Sequence, residues 1–261
     1  MRICLILEYD GTYFNGWQSQ PNKNTVQDYL NDALAIIANH PITSIAAGRT
    51  DAGVHALNQV IHFDTNTDRP MSAWIRGVNA SLPAAIRVQH AQVVGATFHA
   101  RFDAYQRSYQ YLLVNSPVAP AVMANKAGWY HQPLDLGAMQ QAISYLRGQH
   151  DFSAFRAASC QAKSSKKTMH LATVNQHGPY FLFSFTANAF LHHQVRNMIG
   201  ALIYVGKGKH DAAYIEYLLM QEDRSVSPPT FSPAGLYLTG VGYDKKWGLP
   251  AMHRHLSLSL M

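Results

Sequence analysis

Two cysteines in 261 residues, Cys4 and Cys160, lie far apart without a C-x-x-C pair, which excludes a disulfide framework and a thiolate zinc site. Both read as small apolar side chains. No apolar run approaches the ~18 residues that a membrane span needs, and the opening M-R-I-C-L-I-L-E-Y-D is too short an apolar stretch for a signal segment. These absences lead us to expect a cytoplasmic protein with no membrane partner. Negative charge is scarce in the middle of the chain. Between Arg69 and Lys209 the acids are Asp103, Asp135 and Asp151 alone, against fourteen Lys or Arg, a surplus of eleven cations. From Phe152 to His210 there is no acid at all. Only 14% of the whole chain is charged, so this surplus belongs to a patch on a folded domain, unlike a disordered basic tail. It is the balance expected of a surface that meets a polyanion.

What is present is apolar: 48% hydrophobic residues at this length suffice for one large domain or two small ones. Residues 3–9 alternate as a strand, and a turn-rich aromatic loop D-G-T-Y-F-N-G-W-Q follows at 10–18. A helix starts at about Thr25, where Thr25 and Asp28 form a capping-box pattern and Val26, Leu30, Ala33, Leu34 and Ile37 share a face. Strands near 42–47 and 58–65, a helix near 72–79 and a strand at 86–94 complete a β-α-β-β-α-β succession. The second half reads similarly: a strand at 108–115, a helix near 136–146, strands near 168–176 and 180–187, helices near 192–205 and 211–220, and a strand at 236–243. The order predicts an α+β fold. We expect two ferredoxin-like (RRM-like) units, residues 1–104 and 105–246, packed side by side through mixed, mainly antiparallel sheets around a central basic cleft. Residues 247–261 read as a peripheral tail.

Chemistry concentrates in residues 48–55, G-R-T-D-A-G-V-H. Glycines at 48 and 53 bracket an excursion between two apolar strands, which is where catalytic side chains tend to sit. A carboxylate held there, Asp51, suits nucleophilic or acid-base work. Arg49, protonated at any working pH, either keeps Asp51 ionised or grips a substrate phosphate. Further along, Tyr109 lies on a strand after Arg107, and Arg196 lies on a helix after two histidines in F-L-H-H-Q-V-R-N. Lys163, Lys166 and Lys167 form the cluster K-S-S-K-K, suited to holding phosphates. His192 and His193 invite a metal reading, but adjacent helical residues point about 100° apart and no carboxylate flanks them, so no metal site is expected.

With Y-D-G-T-Y-F-N-G-W-Q at 9–18, A-G-L-Y-L at 234–238 and N-A-F-L-H-H-Q-V-R-N at 188–197, the chain resembles the bacterial tRNA pseudouridine synthase A family over roughly residues 3–243. The resemblance implies an isomerase that breaks the N-glycosidic bond of uridines at positions 38, 39 and 40 of the tRNA anticodon stem-loop, rotates the base and rejoins it through C5. It implies no cofactor and a homodimer whose basic clefts span both subunits. It also assigns roles: Asp51 matches the catalytic aspartate, Tyr109 the substrate-contacting tyrosine, Arg196 the basic residue that pairs with that carboxylate, and Arg49 a residue that helps extrude the target base. Tyr109 offers an aromatic face and a hydroxyl to such a base. No second carboxylate accompanies Asp51, which argues against a two-carboxylate glycosidase. Ser108 and Gln110 stand where related sequences often place basic residues, and Gln194 interrupts H-H-x-V-R-N. The rival reading is a non-catalytic RNA-binding module of RRM-like fold.

Overall fold

The structure is a computed structural model that describes residues 1–250 and 254–257. In chain order come β1 (Arg2–Tyr9), α1 (Val26–Ala38), β2 (Ile45–Ala46), β3 (His55–Asp64), α2 (Val78–Ser81), β4 (Ile86–Val94), β5 (Ala104–Asn115), β6 (Gly128–Tyr130), α3 (Leu136–Ser144), β7 (Gly148–Asp151), β8 (Lys166–His177), β9 (Tyr180–Ala187), α4 (Gln194–Gly206), α5 (Tyr214–Gln221) and β10 (Leu236–Tyr243). Strand pairing is mixed and mainly antiparallel, giving the α+β class that the element order implies. Among the described residues no helix is long and apolar enough to cross a membrane. The chain divides into two compact units, Met1–Tyr105 joined by Tyr237–His255, and Gln106–Leu236 joined by the described residues from Leu256.

In the first unit β4, β1 and β3 are neighbours, and β2 and β10 share the far edge of β3. Register sorts the side chains by face. Ile6 opposes Val60 and Cys4 opposes His62, so these point one way. There Cys4, Ile6 and Val60 join Val94, Phe98 and Ala100, with Val241, Tyr243, Trp247 and Leu249 packed against them. On the other face Phe63 meets Trp74 at 5.2 Å between ring centroids. Because both faces are covered, β1 is buried from Ile3 to Leu7, where the alternating pattern suggested one solvated face. The capping box of α1 is present, with Thr25 and Asp28 bonded to each other's backbone amide. Such a cap contributes about 0.5–2 kcal/mol. The helix expected at 72–79 forms instead as a wide π-type turn, Ala73–Gly77, running into the short α2.

Two expectations change here. Element order places the strand at 236–243 at the end of the second unit, but Tyr237 and Leu238 pair in parallel with His55 and Ala56 of β3, so β10 belongs with the first. Element order cannot reveal which sheet a last strand rejoins, because that contact spans most of the chain. The sequence suggests a peripheral tail after residue 246. Trp247 instead lies 5.2 Å from the Phe98 ring, and Arg254 bonds Glu8 and Gln89. Of that tail, 251–253 and 258–261 lie outside the described residues.

In the second unit β5 pairs with β9, β9 with β8 and β8 with β7, while β6 runs parallel to β5. Tyr109, Tyr111 and Leu113 share a face, directly opposite Phe185, Phe183 and Phe181 of β9. The three phenylalanines are 0% exposed. Removing any one to alanine costs about 3–5 kcal/mol. Helix α4 is buried nearly all round, as a central core helix must be. Its Gly200 lets Pro229 approach so closely that a Cβ would stand 2.6 Å from the Pro229 carbonyl oxygen.

Candidate active site

Asp51 sits on the connection between β2 and β3, and the chain on either side of it is anchored by buried polar contacts. Gln59 of β3 donates from Nε2 to the Gly48 carbonyl at 2.7 Å, and the Tyr9 and Thr50 hydroxyls meet at 2.7 Å. The Trp17 amide donates to the Thr50 carbonyl at 3.0 Å, and the Val54 amide to the Asp51 carbonyl at 3.1 Å. Thr50, Val54 and His55 are buried, Asp51 is half-buried, and Arg49 is exposed. The local sequence permits this closeness. Gly53 takes φ +77 and Gly16 takes φ +87, a region costly for side-chain-bearing residues. Gly11 packs its Cα against Val54, where a Cβ would lie 2.0 Å from the carbonyl oxygen. A buried His55 completes the support: its Nδ1 accepts the Gly11 amide at 3.1 Å, and its ring stacks on Tyr237 at 4.6 Å. Nδ1 also lies 3.1 Å from Asp10 Oδ1, an oxygen that accepts from the Thr12 amide and hydroxyl.

The Arg49 guanidinium makes no hydrogen bond or ion pair among the described residues and is exposed to solvent. His55, 2% exposed and engaged with Gly11 and Tyr237, is a scaffold for the loop.

The second unit carries the remaining assigned residues. Tyr109 on β5 is 9% exposed, and its ring meets Phe190 edge to face at 5.0 Å. Arg107, two residues earlier, donates to the Asn188 carbonyl at 3.2 Å, tying β5 to the start of the N-A-F-L-H-H segment. Arg196 on α4 is half-buried: Nε donates to the Phe231 carbonyl at 2.9 Å, and the Phe231 amide returns a bond to the Arg196 carbonyl at 3.3 Å. That reciprocal clamp orients the guanidinium at the start of α4. Next to it, Asn197 is fully buried and bonded to Phe155 and Thr230, which fixes the rotation of α4.

The two histidines depart from expectation. His193 takes φ +61 at the helix N-cap, outside the helical repeat. The rings of His192 and His193 therefore lie 4.0 Å apart, where two neighbours inside a helix would diverge. Gln194, which looked like an interruption of the motif, folds back so that Oε1 accepts the Leu191 amide at 2.8 Å. It closes the turn that the histidine conformation opens. His192 reaches Ser159 at 3.1 Å, and its amide meets the Cys160 sulfur at 3.4 Å. Burial raises the Cys160 thiol pKa, but the His192 and Ala162 amides and the nearby Arg156 outweigh it and bring it below its ordinary value.

Of the three lysines, Lys163 and Lys166 are exposed, Lys166 standing opposite Asp151 in the β7–β8 pairing. Asp151 is held below the usual carboxylate range by hydrogen bonds from Ser153 and Ser165 and by Lys166, which outweigh its partial burial. Lys167 differs: its ammonium donates to the Ser164 and Lys166 carbonyls at 2.6 and 3.1 Å, and desolvation lowers its pKa. The anchors of the Asp51 loop, Tyr9, Gly11, Gly16, Gln59 and Tyr237, were not given roles by the sequence. Only the glycines in D-G-T-Y-F-N-G-W carried a signal, as points of close backbone approach.

A cation-rich α+β chain presenting a carboxylate on a rigidly anchored loop fits the class of enzymes that modify nucleic acid. The chain belongs to the tRNA pseudouridine synthase family, whose model matches residues 5–103 and 142–244. It is 64% identical to tRNA pseudouridine synthase A of Methylobacillus flagellatus over 260 residues, covering 100% of both chains. The proteins so named in Chromobacterium violaceum and Dechloromonas aromatica are 55% identical over 252 residues (96% of each chain) and 54% identical over 250 residues (96% of this chain and 95% of the other).

Proposed function

We propose that this protein isomerises uridine to pseudouridine at positions 38, 39 and 40 of the tRNA anticodon stem-loop, with Asp51 as the catalytic carboxylate. Family membership makes it an isomerase that forms pseudouridine in tRNA. The assignment of Asp51 rests on the anchored loop that holds its half-buried carboxylate between β2 and β3. The carboxylate has three routes open to it: addition to the uracil ring, addition to the ribose anomeric carbon, or removal of the ribose 2' proton. All three need Asp51 unprotonated. In each the glycosidic N1–C1' bond breaks, the base turns, C5 bonds to C1', and the C5 proton passes to solvent. Arg196 is assigned to pair with that carboxylate, and Arg49 and Tyr109 to hold the extruded base, Tyr109 with its ring and hydroxyl. Lys163, Lys166, Lys167 and Arg107 are assigned to the RNA backbone.

The finer architecture belongs to the same proposal: the β-α-β-β-α-β succession supports a ferredoxin-like first unit, and the family resemblance supports a homodimer. A cytoplasmic setting is consistent with two unpaired thiols. The test is direct. Purified protein is incubated with unmodified tRNA transcripts carrying uridine at 38, 39 or 40, and pseudouridine is mapped by carbodiimide adducts. Modification confined to those positions supports the reading, and modification elsewhere in the tRNA overturns the site assignment.

A further inference from the structure

Away from the residues given chemical roles, the second unit has a shallow groove of about 440 Å³ walled by Tyr204, His210, Tyr214, Tyr217 and the Pro228-Pro229 pair. Four of these walls are rings stacked nearly parallel. Tyr204 and His210 are 6.2 Å apart at 17°, His210 and Tyr214 3.8 Å apart at 12°, and Tyr214 and Tyr217 6.2 Å apart at 16°. The chain builds the column from two pieces. Tyr214 and Tyr217 are three residues apart on α5 and so share a side of the helix. Gly208, at φ +74, turns the chain after α4 so that His210 returns onto Tyr214.

The two ends of the column differ. Lys207 and Lys209 place their ammonium groups 4.2 and 4.4 Å from the Tyr204 ring centre, capping that end with positive charge. At the other end Tyr217 is 48% exposed, an uncommon state for an aromatic already aligned in a stack. Between them His210 is held below its ordinary pKa by desolvation and by Lys209 and Lys207, against the opposing pull of Asp211. The proline pair supplies a rigid wall without backbone N–H groups to be left unpaired.

We propose that this column is a stacking site for an unpaired base of the RNA substrate, with Lys209 taking the adjoining phosphate. The inference rests on the reading of tRNA as substrate and adds a contact that the chemistry at Asp51 does not use. Parallel aromatic faces accept any base, and the ammonium groups supply the charge that a phosphodiester needs. An acidic partner protein would find the charge but gain little from a column of parallel rings.

The test measures equilibrium binding of an unmodified tRNA transcript to the full chain. Tyr217→Ala weakens binding roughly 5- to 140-fold if one base stacks there. Tyr217→Phe stays within twofold, because the ring remains, and Lys209→Gln lowers the log-log salt slope by about 0.7. Ultraviolet cross-linking to bound tRNA, mapped by mass spectrometry, places a nucleotide on the peptide containing Tyr214 and Tyr217. Unchanged affinity of Tyr217→Ala together with no cross-link there overturns the proposal. So does a change in sedimentation of Tyr217→Ala without RNA, which would make the column a protein-protein surface. Wild-type isomerisation, assayed separately, distinguishes this failure from failure of the functional reading.

Discussion

Gly11→Ala tests whether the tight packing beneath the Asp51 loop sets its reactivity. The added methyl would stand 2.0 Å from the Val54 carbonyl oxygen, 2.6 Å from its carbon and 3.1 Å from its nitrogen. All three are backbone atoms, so no rotamer change relieves the contact. Reaching an ordinary separation requires Val54 and Gly11 to part by roughly 1 Å or more. Val54 is bonded through its amide to the Asp51 carbonyl, and the Gly11 amide is held by His55, so the displacement passes into the loop. Overpacking of this kind costs about 1–3 kcal/mol of stability. A misplacement of ~1 Å in a catalytic group costs on the order of 100-fold in rate. The expected result is a folded variant with a lowered melting temperature, tritium release from 5-tritiated uridine tRNA reduced about 100-fold, and tRNA affinity changed less than severalfold. Gly95→Ala is the control, since its Cβ would meet only the edge of Trp247 at 3.4 Å and activity should persist. If Gly11→Ala turns over like the unaltered protein with an unchanged melting temperature, the loop is not held as described.

Two further outcomes follow from the charges. Replacing Lys163 and Lys166 by glutamine should reduce the log-log salt slope of tRNA binding by up to ~1.8, whereas Lys167→Gln should change it less because that ammonium is bonded to carbonyls; equal effects of all three would contradict the difference. His62, which accepts the Ala100 amide, is pushed down to about 4, chiefly by burial and further by Arg2 and His99. A histidine with a depressed folded pKa stabilises fully above the unfolded value near ~6.5 and loses that contribution as pH falls toward 4. Denaturant unfolding should therefore show about 2–3 kcal/mol lost between pH 7 and 4.5, and His62→Gln should flatten that slope. An unaltered slope in the variant would remove His62 as its source.

Local signals in the chain proved legible where local physics decides. The 86–94, 180–187 and 236–243 strands and the capped start of α1 stand where alternation and the Thr25-Asp28 pattern put them. What was illegible depends on long-range contact. Nothing near residues 236–243 states that Tyr237 will pair with His55, or that Trp247 will cover Phe98. The positive φ of His193 was equally hidden, because a histidine takes left-handed backbone only rarely even though it is enriched there among non-glycine residues, and the helical spacing argument for the two imidazoles failed with it. At the proposed site the octet was conspicuous, while its supports were read as ordinary strand residues. Gln59 and Tyr9 become polar anchors only when β1 and β3 bring them beside Gly48 and Thr50. The column of Tyr204, His210, Tyr214 and Tyr217 was missed because the chain turn at Gly208 assembles it.

The most direct measurement of the central claim is Asp51→Asn in a single-turnover assay on 5-tritiated uridine tRNA, paired with equilibrium binding of the same tRNA. The substitution keeps size and removes the nucleophilic, basic oxygen. Tritium release should fall to background while tRNA affinity stays within severalfold. Release at the unaltered rate would mean that another group performs the chemistry.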